Sequence, residues 1–92
     1  MTTIEHRSAA ALAILADAAG PLTGKTVRAR LVGLGHDVSY AETATALTRL
    51  VRLGLLDTRA DTLAGTRSRI FWPTTDGRLE AEILQSQRIE GV

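Results

Sequence analysis

Residues 39–56, SYAETATALTRLVRLGLL, decide how the chain folds. Ser39 followed three positions later by Glu42 is a capping box, in which each side chain satisfies a backbone N–H left without a partner at a helix start. Successive 100° steps from there put Thr43, Ala44, Leu47, Leu50 and Val51 on one face and Glu42, Thr45, Arg49 and Arg52 on the opposite one. One side therefore faces a core, and the other is basic and rich in hydroxyls. Gly54 follows the last periodic residue and can take the left-handed conformation that ends a helix. Leu55 and Leu56 then open an extended apolar run, so the helix stops where a strand begins.

Upstream, residues 4–19, IEHRSAAALAILADAA, form a first helix by propensity, and Gly20-Pro21 stops it. From Ala9 to Ala19 only Asp17 is polar, and a helix apolar nearly all round is buried on more than one side. Its second side needs a lid, either the C-terminal helix of the same chain or a second subunit, and the reading favoured is a homodimer. Thr23 is a plausible N-cap for a second helix of about ten residues, with Val27, Leu31 and Leu34 sharing a face while Lys25 and Arg28 point away. The segment from Gly33 to Val38 is a turn with two glycines. Helix, glycine-containing turn and capped helix in succession make a helix-turn-helix.

Downstream, residues 57–69, DTRADTLAGTRSR, are turn-rich and lie between the apolar runs Leu55-Leu56 and Ile70-Phe71-Trp72. That pattern predicts a two-stranded hairpin with a polar tip at Asp61 to Gly65. Pro73 ends the second strand. Thr74, with Asp76 in the first turn, caps a last helix that runs through Leu79, Ile83 and Leu84 and fades near Gly91. The expected fold is α+β, mostly α: a winged helix-turn-helix of three helices, a two-stranded β wing and a C-terminal helix, in one domain over residues 1–92.

Composition narrows the function. The chain of 92 residues has no cysteine, which removes disulfides, thiolate metal sites and cysteine nucleophiles. No apolar run reaches the length of a membrane span, and the first residues lack a signal-peptide layout, so a cytoplasmic location is the default expectation. Net charge is only +1, yet its distribution is uneven. Between Thr23 and Trp72 lie Lys25, Arg28, Arg30, Arg49, Arg52, Arg59, Arg67 and Arg69 against Asp37, Glu42, Asp57 and Asp61, while both ends are acidic on balance. The middle is the part expected to bind an anion.

Two stretches are specific enough to suggest relatives. The first is ALTRLVRLGLL, with Leu47, Leu50, Gly54 and Leu55; the second is FWPTTDGRLEAEIL, with Phe71, Thr74 and Gly77. Together, over roughly residues 9–84, they resemble small bacterial winged-helix transcriptional regulators of the PadR and MarR type. Those families show Leu-x-x-Leu-x-x-x-Gly-Leu at the end of the recognition helix, and an aromatic residue then Thr-x-x-Gly after the wing. The chain departs from the PadR type at Ala44, where a tyrosine is usual, and at Val51, where a glutamate is usual. The resemblance implies a DNA-binding regulator without enzymatic activity, a repressor that occupies a palindromic operator as a homodimer.

On double-stranded DNA the polar face of the third helix would enter the major groove. Ser39, Tyr40, Glu42 and Thr45 lie toward its N-terminal end, nearer the bases, and Glu42 is read first as the capping box. Arg49 and Arg52 lie toward the C-terminal half, where phosphate contact is commoner. The wing arginines Arg59, Arg67 and Arg69 suit phosphates or a narrow minor groove. Lys25 and Arg28 would clamp the backbone beside the groove. The alternative is a winged helix used as a protein-interaction module.

Other chemistries are weak. The stretch from Gly20 to Thr26 ends like a phosphate-binding loop, but three residues separate its glycines where four are required, and a helix rather than a strand precedes it. His6 and His36 are far apart in sequence and lack a cysteine or carboxylate cluster at ligand spacing, so neither a metal nor a cofactor is expected. Adjacent on a strand, Phe71 and Trp72 point to opposite faces. One belongs to the core; Trp72 would be the residue to line an effector pocket, though core packing is the preferred reading.

Overall fold

The computed structural model describes residues 6–63 and 66–90. Its elements follow in the order α1 (His6–Asp17), β1 (Leu22–Thr23), α2 (Gly24–Gly33), α3 (Tyr40–Arg52), β2 (Leu56–Leu63), β3 (Thr66–Pro73) and α4 (Thr75–Glu90). This is a winged helix-turn-helix, α+β and mostly helical. Ile4, Glu5, Ala64, Gly65 and Gly91, on which parts of the sequence reading fell, lie outside the described residues.

Local signals set most helix ends. Ser39 accepts from the Glu42 N–H at 3.0 Å while Glu42 accepts from the Ser39 N–H at 3.0 Å, so the capping box is complete. Thr23 caps α2 through the Thr26 N–H at 3.2 Å, and Thr74 caps α4 through the Gly77 N–H at 3.0 Å. Gly35 and Gly54 take φ of +94° and +77°, the left-handed turns that end α2 and α3. One helical expectation fails. Leu34 does not share the buried face of Val27 and Leu31 but is 67% exposed, because α2 ends at Gly33 and the chain turns away at Gly35.

The two-stranded wing is present as β2 and β3, and its sheet gains a third strand. The sheet has three antiparallel strands in the order β1-β3-β2, since Leu22 and Thr23 pair with Phe71 and Ile70. Two residues carry no legible strand signal; the long-range partner makes them one. The wing is also longer than its turn-rich sequence suggested: Asp61 pairs with Ser68, Thr62 with Arg67 and Leu63 with Thr66, so residues 61–63 are strand rather than tip. Cross-strand pairing overrides the turn preference of the aspartate here.

The core is aliphatic. Leu12, Leu15, Val27, Leu31, Leu47 and Leu50 are almost wholly buried, and Phe71 joins the same cluster. Ala81 and Leu84 of α4 pack against it, so the second side of α1 is covered by the last helix of the same chain. Leu79 and Ile83, one turn apart on α4, stay about half exposed. Among the described residues no helix is long and apolar enough to cross a membrane.

One buried group is out of place in this core. Ser8 of α1 is fully buried and its hydroxyl has no hydrogen-bond partner among the described residues. An unsatisfied buried hydroxyl costs about 1–3 kcal/mol, so Ser8→Ala is expected to raise stability in urea denaturation by about 1 kcal/mol. A loss of stability would mean that the hydroxyl is bonded in solution.

Candidate nucleic-acid interface

The two faces of α3 separate as the 100° steps require. Thr43, Leu47 and Leu50 are buried and Ala44 and Val51 partly so, whereas Glu42, Thr45, Arg49 and Arg52 are all exposed. Thr43, the polar member of the buried face, donates its hydroxyl to the Ser39 carbonyl at 2.9 Å and so enters the core satisfied. Arg49 and Arg52 stand in the last turn, where a positive charge complements the helix dipole.

Two open grooves run along the exposed face. One, of about 290 Å³, is lined by Arg7, Ala41, Glu42, Thr45, Ala46 and Arg49. The other, of about 390 Å³, is lined by Ala44, Thr45, Thr48, Arg49 and Arg52. Thr48 was passed over in the sequence although it lies three residues from Thr45 and four from Arg52, a helical spacing that identifies it. Arg7 could not have been found that way. It comes from the first turn of α1, and its guanidinium pairs with the Glu42 carboxylate across thirty-five positions of sequence.

Glu42 thus carries two structural duties, accepting from Ser39 with one oxygen and from Arg7 with the other. The Ser39 backbone bond, and after it the Arg7 guanidinium, hold its carboxyl below the ordinary 4.5. A carboxyl whose folded value is depressed adds stability above its unfolded value and loses it as pH falls through the folded one. Wild type and Glu42→Gln should therefore differ in thermal melts at neutral pH and converge on acidification. A gap independent of pH would rule out the charge as its source. Ser39→Ala, which removes the cap hydroxyl, is expected to cost about 1 kcal/mol.

Tyr40 is exposed, and its hydroxyl lies over the start of α2, about 3.6 Å from where a Gly24 side chain would begin. Arg28 donates Nε to the Val38 carbonyl at 3.0 Å, tying α2 to the turn before α3. Lys25 is exposed on the first turn of α2. In the wing, Ala60 pairs with Arg69 and Thr62 with Arg67, so both arginines share the sheet face of Phe71, while Arg59 opposes Ile70 on the other face. Arg69 reaches the Thr58 hydroxyl at 3.4 Å, and Arg59 stands 3.8 Å from Asp61. Strand alternation therefore divides the three wing arginines into a pair and a single residue. Phe71 is the core aromatic, and Trp72 is half-buried on the opposite face.

The two stretches on which the resemblance rests meet in space. Thr74 donates its backbone N–H to the Leu55 carbonyl at 3.1 Å and its hydroxyl to the Gly54 carbonyl at 2.6 Å. Thr-x-x-Gly is thus the latch that seats α4 on the end of α3.

No protein-family model matches the sequence, and no curated protein matches it either. Solved structures do. A PadR family transcription regulator from Clostridium difficile superimposes with a TM-score of 0.80 at 15% identity, over 90% of this chain and 86% of that one. PadR of Bacillus subtilis, solved in complex with operator DNA, gives 0.77 at 16% identity; the match covers 90% of this chain but 48% of PadR, about half its length. A PadR family regulator from Eggerthella lenta gives 0.72 at 18% identity, over 88% and 72% of the respective chains. With sequence so dissimilar and backbones so alike, the chain shares the winged-helix fold of the PadR-family regulators, as the stretches ending at Leu55 and Gly77 had suggested.

Proposed function

We propose that the chain is a sequence-specific, double-stranded DNA-binding transcriptional regulator that acts in the cytoplasm as a homodimeric repressor. The observation that carries this reading is the exposed face of α3. Thr45, Thr48, Arg49 and Arg52 line grooves open to solvent, on a helix whose other face is locked into the core and whose first turn is fixed by a capping box. A helix so held can enter a major groove without giving up a core contact.

The roles divide by position. Ser39, Tyr40, Glu42 and Thr45 stand at the N-terminal end of α3 and approach base edges, with Glu42 chiefly organising the helix start. Arg49, Arg52, Lys25 and Arg28 hold phosphates. Arg59, Arg67 and Arg69 extend the contact along the wing. PadR of Bacillus subtilis, which has the same fold, was solved on operator DNA, and that supports a duplex as the partner. The apolar pair Leu79 and Ile83 on α4 supports a second copy of the chain as the other partner. Two recognition helices related by a two-fold axis would read half-sites about 34–36 Å apart.

Fluorescence anisotropy on random duplex DNA across a salt series, followed by selection of tight binders from the same pool, tests the reading. A steep salt slope and an enriched, roughly palindromic sequence are expected. Absence of binding at low salt would sink it in favour of a protein-interaction module.

A further inference from the structure

The chain has two histidines, and the fold brings them together. His6 opens α1 and His36 sits in the turn between α2 and α3, yet their ring centroids are 5.7 Å apart with the planes inclined at 43°. A hydrophobic explanation is poor, since His6 is exposed and His36 only partly buried. The separation has a chemical meaning. With a metal–nitrogen bond of about 2.0–2.1 Å, a coordinating imidazole has its ring centre roughly 3.2 Å from the ion. Two rings on one ion then lie about 5.2 Å apart at a tetrahedral angle and about 6.4 Å apart when opposite. The observed distance falls inside that interval.

We propose that His6 and His36 form a two-histidine site for a divalent transition ion such as Zn²⁺ or Ni²⁺. Imidazole nitrogen selects those ions over Mg²⁺ and Ca²⁺, which prefer oxygen. Among the described residues no group of three histidine, cysteine or carboxylate side chains is placed to hold a metal, so the proposed site is one of two imidazoles. Such a site responds to ion supply rather than locking the fold.

Its place in the fold gives the ion something to do. The site stitches the first residue of α1 to the turn before α3, next in sequence to Arg7, whose pair with Glu42 joins α1 to the first turn of α3. An ion bound there orders the start of α1 over the N-terminal end of α3. The inference does not depend on DNA binding, because the ion is read directly.

The test is calorimetric titration and thermal melting of tag-free full-length chain with ZnCl₂ or NiCl₂, with MgCl₂ as the control. Expected are one ion per chain and a raised melting temperature with Zn²⁺ or Ni²⁺ only. His6→Gln and His36→Gln should each weaken binding by roughly tenfold or more, because either change removes a ligand delivered at high effective concentration. Circular dichroism of both variants without metal reports whether they fold. No heat and no melting shift with either ion would overturn the proposal, as would binding that both folded variants retain. Sedimentation showing that the ion joins two molecules, rather than one residue pair within a molecule, would overturn it too.

Discussion

Gly77→Ala is expected to destabilise the chain by roughly 3–5 kcal/mol. A methyl group built on Gly77 would stand 1.9 Å from the Leu55 carbonyl oxygen and 2.9 Å from its carbon. Those are backbone atoms, which cannot swing aside as the end of a side chain does. Nor can α4 lift away cheaply. Thr74, three residues earlier, holds the Leu55 and Gly54 carbonyls with its N–H and hydroxyl, and Gly77 donates its own N–H to that hydroxyl. Relieving the clash would break the latch and disturb Gly54, whose positive φ ends α3. Domains of this size have only about 5–15 kcal/mol in total, so the variant should be largely unfolded in modest urea. Gly24→Ala is the matched control. Its methyl would meet Leu47, Tyr40 and Phe71 side chains at 3.6–3.9 Å, ordinary contact distances, and stability should hold or rise slightly. A Gly77→Ala chain with wild-type urea midpoint would show that α4 is not seated on Leu55 in solution.

Charge reversal at Arg49 and at Arg67 is expected to weaken DNA binding sharply while leaving the fold intact. Both side chains are exposed, one on α3 and the other on β3, so neither substitution empties a core position. Loss of one phosphate contact should lower the salt slope by about one unit, and the introduced repulsion should push affinity down by about 100-fold or more at moderate salt. Arg78→Glu, exposed on α4 and not among the residues proposed to meet DNA, carries the same charge change and should bind nearly as wild type. Anisotropy titrations at several salt concentrations, with circular dichroism on each variant, read the outcome. Arg49→Glu and Arg67→Glu proteins that keep wild-type affinity and slope would transfer the case to protein recognition by the same face.

What could be read from sequence was local. The Ser39–Glu42 box, the Thr23 and Thr74 caps and the left-handed Gly54 are each decided within one helical turn, and each is present. The buried and exposed faces of α3 were legible for the same reason, because helical period alone sorts them. Misreadings arose where a distant partner decides. Leu22-Thr23 becomes a strand because Phe71 and Ile70 lie beside it, and Asp61 to Leu63 stay extended because Ser68 to Thr66 pair with them. Arg7 meets Glu42, and His6 meets His36, only once α1 is folded against the turn. The Thr-x-x-Gly pattern was visible, but its reason was not, since the carbonyls it grips belong to the end of another element.

The small strand β1 has a consequence for how the molecule assembles. Its pairing of Leu22 with Phe71 encloses α2, α3 and β2 in a single loop of chain. Closing a loop of that length costs entropy that the contacts inside it must repay. The first residue of α2 follows β1 directly, so the helix-turn-helix gains its footing from a strand whose partner lies far downstream in the sequence. A ribosome must release Phe71 before that footing exists, and a fragment ending at β2 would keep its helices as sequence but lose the seam that holds them in register.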